Sequence, residues 1–137
     1  RYTSLGNGGY RLNRDNLKNG TYCGNDCSAF VSMCLWGVSD NRGAYTTRNI
    51  ATSSYYYDVS NWKDLRPGDL INDSGHHVVM FLYYTNAART QMMILEQGGG
   101  EYGINTVSCS MRGVAYYRDG GYTIRRCCYY DASPDAE

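Results

Sequence analysis

The chain has little of several features that mark particular classes of protein. It contains only 2 proline, 2 phenylalanine and 2 histidine residues among 137. Lys and Arg together number 13, as do Asp and Glu, so there is no excess charge to bind nucleic acid, an anionic membrane or a polyacidic partner. No apolar run approaches the roughly 20 residues that a membrane-spanning helix needs. We therefore expect neither a nucleic-acid partner nor a membrane span.

Tyrosine and glycine are abundant instead, with 15 and 16 residues. This composition is typical of a β-rich domain with many turns, in which tyrosine either lines a wet binding groove or replaces phenylalanine in the core. The length is that of a single domain, residues 1–137, with a hydrophobic core of its own. We expect the polar segment 131–137 to be a frayed tail.

Six cysteines are many for a cytosolic chain of this size, and they predict an oxidising compartment. If one is a working thiol, at most two disulfides can form among the others, and the sequence does not fix their pairing. No paired CxxC motif is present, so we expect no metal site and no cofactor. The chain starts at Arg1 without an initiator Met, which predicts a removed signal peptide or a fragment. The cysteines are Cys23, Cys27, Cys34, Cys109, Cys127 and Cys128.

The clearest strand is HVVMFLYY, residues 77–84, which is apolar on both faces as a central strand requires. The segment QMMILEQ, residues 91–97, follows after a polar loop and should pair with it antiparallel. A turn at residues 86–87 would bring Glu96 or Gln97 opposite His77.

Other segments complete an α+β pattern of helices and an antiparallel sheet. Pro67 and Gly68 predict a turn that leads into a strand, and residues 72–75 predict a further turn. Short helices are predicted near residues 14–18 and 47–53. Further strands are predicted over residues 103–109, 113–117 and 122–130, with a hairpin turn at 119–121.

The segment NDCSAFVSMCLWG, residues 25–37, reads as a loop that ends in a helix with a cysteine at the join. Asp26 is a good N-cap residue, which places Cys27 at about the first helical position. The positive end of the helix dipole there favours thiolate over thiol, and thiolate is the nucleophilic form. Thiol catalysis also needs a base and a group that orients it. His77 and either Glu96 or Gln97 are the candidates.

Three motifs together resemble the NlpC/P60 cysteine peptidases: DCSAFV at residues 26–31, LRPGDLI at 65–71 and HVVMFL at 77–82. The resemblance implies a papain-like α+β fold, in which a central helix bearing the cysteine packs on a five- to six-stranded antiparallel sheet. It implies hydrolysis of amide bonds in peptidoglycan stem peptides, with peptidoglycan or muropeptides as substrate. By position Cys27 would be the nucleophile, His77 the base and Glu96 the third polar residue.

The resemblance also implies substrate contacts and a location. Asp26 and Ser28 match positions that hold the free amine of the substrate peptide in some members, and Tyr22 is our candidate for the tyrosine that joins them. We expect a secreted or cell-envelope protein, with room for a companion cell-wall-binding domain outside this chain.

Two groups of alternatives remain open. Glu at the third catalytic position resembles the CHAP amidases, so the chain could be an N-acetylmuramoyl-L-alanine amidase, or an acyltransferase on the same scaffold. A non-catalytic cell-wall-binding module, with Cys27 structural and the Tyr-rich loops holding glycan, is the alternative from another class.

Overall fold

The computed structural model of the protein describes residues 3–4, 10–11, 27–36, 46–98 and 106–128, and in this part of the chain the fold is α+β. The strands are β1 (Thr3–Ser4), β2 (Tyr10–Arg11), β3 (Tyr56–Val59), β4 (Leu70–Asp73), β5 (His77–Tyr84), β6 (Gln91–Gly98), β7 (Thr106–Gly113) and β8 (Thr123–Cys127). The helices are α1 (Cys27–Trp36), α2 (Thr47–Thr52) and α3 (Val114–Arg118).

Six of the strands form one sheet in the order β3-β8-β4-β5-β6-β7, and every neighbouring pair is antiparallel. Strands β1 and β2 form a separate antiparallel pair. Helix α1 packs against β5 and β6 in the middle of the large sheet. The expected α+β class and antiparallel sheet are therefore confirmed, and the sheet has six strands.

Strand β5 is buried on both faces, as its sequence predicts. Val78 and Met80 pack in one hydrophobic cluster with Val31 of α1. Val79 and Phe81 belong to a second cluster that also contains residues of α3. Because successive side chains of a strand alternate between faces, these two clusters lie on opposite sides of β5.

The turn before β4 is built as Pro67 and Gly68 predict. The Asp69 N–H donates to the Arg66 carbonyl at 2.9 Å, and Gly68 has φ of +93°, a conformation that glycine adopts without steric cost. The buried Asp69 carboxylate accepts hydrogen bonds from Arg126 Nε at 2.9 Å and Nη2 at 2.8 Å, and from the Arg66 N–H at 2.8 Å. The Asp69 backbone also pairs with Phe81 of β5. The Asp69 carboxylate thus joins the turn to β8, and the Asp69 backbone joins the turn to β5.

Helix α2 holds the turn that precedes His77. The helix lies where residues 47–53 predict one, and the Thr46 hydroxyl caps it by accepting the Asn49 N–H at 3.0 Å. The Thr47 hydroxyl accepts the Gly75 N–H at 2.8 Å, and the Asn72 side chain donates to the Thr47 carbonyl at 2.9 Å. The turn predicted at residues 72–75 lies later, because Asn72 is a buried member of β4 that pairs with β5 and β8.

The strand predicted over residues 113–117 is wrong, since Gly113 ends β7 and the rest of the segment lies in helix α3. Val114 and Tyr117 are buried with the spacing of one helix face and pack in the second cluster. Residues 119–121 consequently join a helix to β8 rather than forming a hairpin, and Gly121 has φ of +87° in that connection.

Some expectations lie outside the described residues, namely the short helix near residues 14–18 and the frayed tail at 131–137.

Cys27, Cys34, Cys109 and Cys128 are free thiols. In the part of the chain that the structure describes, no helix is both long and apolar enough to cross a membrane.

The Asp69–Arg126 pair predicts a large effect on stability. Asp69→Asn leaves the Arg126 charge buried without its counter-charge, which we expect to lower the free energy of unfolding by about 3–5 kcal/mol. Urea unfolding followed by circular dichroism measures the change. The control is Asp119→Asn, which removes an exposed pair with Arg118 and should leave the midpoint unchanged. Equal midpoints for Asp69→Asn and the wild type would contradict a structural role for this pair.

Candidate active site

Cys27 is the first residue of α1, where the sequence predicts it, and its side chain is partly buried. The helix is anchored behind it by Phe30 and Val31, which are buried in the first hydrophobic cluster. Cys27 itself packs against the edge of that cluster. The sulfur is therefore held on a rigid element, at the end where backbone N–H groups are not used by the helix itself.

His77 is the first residue of β5 and follows the turn that α2 holds in place. Its ring is 27% exposed. Nε2 of the ring lies 2.8 Å from Glu96 Oε2 on the neighbouring strand β6. The imidazole and the carboxylate that were expected to meet are thus in direct hydrogen-bond contact.

The strand register selects Glu96 over Gln97. Met80 of β5 pairs with Leu95, and continuing that pairing along the strands sets His77 level with Gly98. Glu96 is two residues from Gly98 and therefore on the same face, so it meets His77 diagonally. Gln97 alternates to the opposite face, where its side chain is buried. The observed pairing differs by two residues from one with Glu96 opposite His77 and by one residue from one with Gln97 there. Only the shift of two keeps the side chain on the face of His77.

The His77 ring is held in its protonated form. Burial acts to lower its pKa, but hydrogen bonds with the Cys27 side chain and with Glu96, together with the charges of both groups, raise the pKa from 6.5 to about 9. The hydrogen bond from His77 lowers the pKa of Glu96 against the opposing effect of burial, with a smaller contribution from the positive charge of Arg112. At neutral pH the pair is therefore an imidazolium and a carboxylate.

His77 links the other two groups, because it is hydrogen-bonded to Glu96 and its pKa is raised by the nearby Cys27 side chain. Because Nε2 is taken by Glu96, the nitrogen left for the Cys27 sulfur is Nδ1. A protonated ring in this position can donate to the sulfur on one side and to the carboxylate on the other. Chemically, the arrangement offers a nucleophile, a proton carrier and a group that fixes the orientation of that carrier.

A cavity of about 380 Å³ opens beside the His77–Glu96 pair. Its other lining residues are Arg112 from β7, Tyr116 and Tyr117 from α3, and Tyr122 just before β8. None of these four residues was predicted from the sequence to lie in the site. The tyrosines of α3 were missed because a strand was predicted over residues 113–117. Arg112 could have been placed from the alternation along β7, because Ser108 pairs with Glu96 and Arg112 lies on the same face as Ser108.

Of the other expected site residues, the structure describes only Ser28. Ser28 follows Cys27 in α1 and is only 4% exposed, which leaves little of its hydroxyl for a ligand, and its role in substrate binding stays a prediction. Asp26 and Tyr22 lie outside the described residues. Across residues 27–36, 46–98 and 106–128 and the short β1–β2 pair, no group of three or more His, Cys, Asp or Glu side chains could hold a metal ion.

Comparison with protein-family models, with curated proteins and with solved structures found no match to this chain.

The charge state of His77 can be measured directly. We expect NMR titration of the imidazole resonances to give a His77 pKa of about 9 in the wild type. Glu96→Gln and Cys27→Ala should each lower it, because each removes a hydrogen bond and a charge that favour the protonated ring. His76→Gln assigns the signals, since the chain has only 2 histidines. A His77 pKa that is the same in Glu96→Gln as in the wild type would exclude the proposed electrostatic coupling.

The same shifts make stability depend on pH. The His77 pKa is higher in the folded protein than its ordinary 6.5, so its contribution is complete below pH 6.5 and is lost as the pH rises through about 9. The Glu96 pKa is lowered, so its contribution is present above its ordinary 4.5 and is lost as the pH falls through the folded value. Between pH 6.5 and 9 we expect Glu96→Gln to lose less stability than the wild type in urea unfolding. Stability that falls equally with rising pH in the wild type and in Glu96→Gln would contradict this coupling between protonation of His77 and folding.

Proposed function

We propose that the protein is a cysteine hydrolase of the NlpC/P60 type, which cleaves amide bonds in peptidoglycan stem peptides. The observation that carries the proposal is the series of Cys27 at a helix start, His77 at the start of a strand and Glu96 bonded to His77 Nε2 at 2.8 Å. Cys27 and His77 each lie in a motif that resembles the family, and the three motifs follow one another in the family's order.

The proposal includes a papain-like fold. In support, the helix that begins with the cysteine packs on the middle of an antiparallel sheet, and the base and the orienting group lie on two neighbouring strands of that sheet. The LRPGDLI motif corresponds to the Pro67–Gly68 turn, in which Asp69 holds β4 and β8 together. This motif therefore has a structural role that supports the site.

In the proposed reaction the Cys27 sulfur, as thiolate, attacks the carbonyl carbon of an amide. The tetrahedral intermediate collapses as the C–N bond breaks, and His77 gives its proton to the leaving amine, which leaves a thioester and a neutral imidazole. His77 then takes a proton from water, whose oxygen attacks the thioester and restores the thiolate and the imidazolium. Glu96 keeps the ring oriented and stabilises its charged form throughout.

The oxyanion of each intermediate needs hydrogen-bond donors close to the sulfur. The Cys27 backbone N–H is a suitable donor, because the first N–H groups of a helix have no partner within the helix. The partial positive charge of the α1 N-terminus would add to the stabilisation of the oxyanion.

A polar peptide substrate suits the cavity beside His77, which is lined by charged and hydroxyl-bearing side chains. Peptidoglycan lies outside the cytoplasm, so the proposal includes a secreted or cell-envelope location and leaves room for a companion wall-binding domain outside this chain.

A CHAP-like amidase is the second candidate, and Glu96 favours it because carboxylate at the third position resembles that group. An amidase would cleave between the muramoyl lactyl group and L-alanine, whereas an endopeptidase would cleave within the stem peptide. Both reactions would use Cys27, His77 and Glu96 in the same roles, so the products decide between them.

Cys27→Ala tests the proposed chemistry. We expect this variant to lose turnover of defined muropeptides by about 10⁴-fold or more while its circular dichroism spectrum stays that of the wild type. Product formation is followed by liquid chromatography and mass spectrometry, which also identify the bond cleaved. The control is Cys34→Ala, which changes an exposed cysteine on the same helix and should leave turnover unchanged.

Each alternative gives a different result in this experiment. Retained turnover in Cys27→Ala would remove Cys27 as the nucleophile. Wild-type protein that binds muropeptides without cleaving them would favour a wall-binding module. Products joined to an added amine would identify an acyltransferase.

A further inference from the structure

The cavity beside His77 is large enough for a group larger than water. Its volume of about 380 Å³ lies in the range of small-molecule sites, and it touches both members of the His77–Glu96 pair. Among the described residues Cys27 does not line it, so the cavity would take a part of the substrate that lies beside His77 rather than the bond being cleaved itself. The described lining carries three charged side chains, those of His77, Glu96 and Arg112.

Arg112 is the charged side chain of the cavity that has no part in the proposed reaction of Cys27, His77 and Glu96. Its Nη2 lies 3.7 Å from Glu96 Oε1, which is too long for a hydrogen bond, and its Nη1 donates to the Met111 carbonyl at a long 3.4 Å. The Arg112 side chain is 47% exposed. Since a guanidinium has five N–H donors, several remain for a ligand even with a hydrogen bond to Tyr117.

The tyrosines add donors to the same cavity. Burial raises the pKa of Tyr117 and of Tyr122, so both hydroxyls keep their protons at neutral pH. The rings of Tyr117 and Tyr122 meet edge to face, with centroids 4.9 Å apart, which fixes their orientation. Tyr116, on the same helix, packs edge to face on Tyr117 at 5.0 Å and is 70% exposed, so it stands at the rim.

Glu96 is the acceptor in this cavity, and His77 occupies its Oε2. Besides Glu96 Oε1, which lies 3.7 Å from Arg112 Nη2, what remains for a ligand is a set of N–H and O–H donors around a guanidinium. A carboxylate matches that set, because its two oxygens fit the planar fork of an arginine and accept from hydroxyls as well. An amide in the same place would bring its own N–H donors against a positive charge.

We infer that Arg112, with Tyr122, binds a carboxylate of the substrate that flanks the scissile amide. Arg112 is thus a specificity residue, and the protein prefers peptides that keep this carboxylate over peptides in which it is amidated. The inference rests on the proposed hydrolysis of stem peptides for the identity of the substrate, and on the cavity alone for the chemistry of the ligand.

The test uses muropeptides that differ only in carboxylate versus carboxamide, in one pair at the glutamyl residue and in a second pair at the diamino acid. For one of the pairs we expect wild-type kcat/KM to be about 10- to 100-fold higher for the carboxylate, which is the range of a charge-assisted hydrogen bond. In Arg112→Gln the ratio should fall to about 1, mainly through a higher KM for the carboxylate peptide. The control Arg118→Gln changes an exposed arginine on α3 that lines a different cavity, and it should keep the wild-type ratio.

The outcomes that overturn the inference are distinct. One is a wild-type ratio near 1 for both pairs, and another is an Arg112→Gln ratio equal to that of the wild type. A third is an equal loss of kcat on both peptides of a pair together with a shifted His77 titration, because Arg112 would then only position Glu96. Arg112→Lys, which keeps the charge but not the fork, covers the case in which Arg112→Gln fails to fold.

Binding to Cys27→Ala separates this inference from the proposed function. If wild-type protein cleaves neither peptide, the hydrolase proposal fails. Calorimetric titration of Cys27→Ala and of Cys27→Ala with Arg112→Gln then gives the answer for the cavity. Tighter binding of a carboxylate peptide that disappears with Arg112→Gln supports the inference, and equal affinities for carboxylate and amide overturn it.

Discussion

A buried ion pair between Asp69 and Arg126 is the constraint on which the sheet depends. Asp69 receives two hydrogen bonds from the Arg126 guanidinium and one from the Arg66 backbone, while its own backbone pairs with Phe81. Both side chains are buried, so each charge depends on the other for compensation. The pair therefore fixes how β8 lies against β4, and the Asp69 backbone joins the same turn to Phe81 of β5. His77 opens β5, and its position depends on this arrangement together with the turn that α2 holds.

The site combines this rigid frame with alternating charge. From α1 to β7 the side chains run in the order sulfur, imidazolium, carboxylate, guanidinium: Cys27, His77, Glu96 and Arg112. Each charged group lies beside one of opposite sign, which allows two cations to occur close together at a half-buried surface. The last member faces the cavity, so the charge series leads from the reacting atom to a surface that can select among ligands.

The sequence could predict those elements whose local signals agree with their environment. The helix start at Cys27, the turn at Pro67 and Gly68, and the strand at His77 each follow from a cap, a turn residue or a β-branched run. The choice of Glu96 over Gln97 could not be made, because the loop sets the register and a shift of one residue reverses the face. Helix α3 was missed because VAYYR has strand-like composition, and only packing of Val114 and Tyr117 makes it helical. Because helix α3 was not predicted, neither the position of Tyr116 and Tyr117 nor the cavity that they line could be predicted.

The strand order has a consequence for the time course of folding. Strand β8 lies between β3 and β4, so Arg125 pairs with Asp58 on one side and Leu70 on the other, far away along the chain. Of the strands in this sheet, β8 is synthesised last, and until it inserts, β3 and β4 each have an open edge and Asp69 has no Arg126. Such non-local pairing is slow to form because long loops must close first. A nascent chain therefore carries Cys27 and His77 well before it has the completed sheet that holds them together.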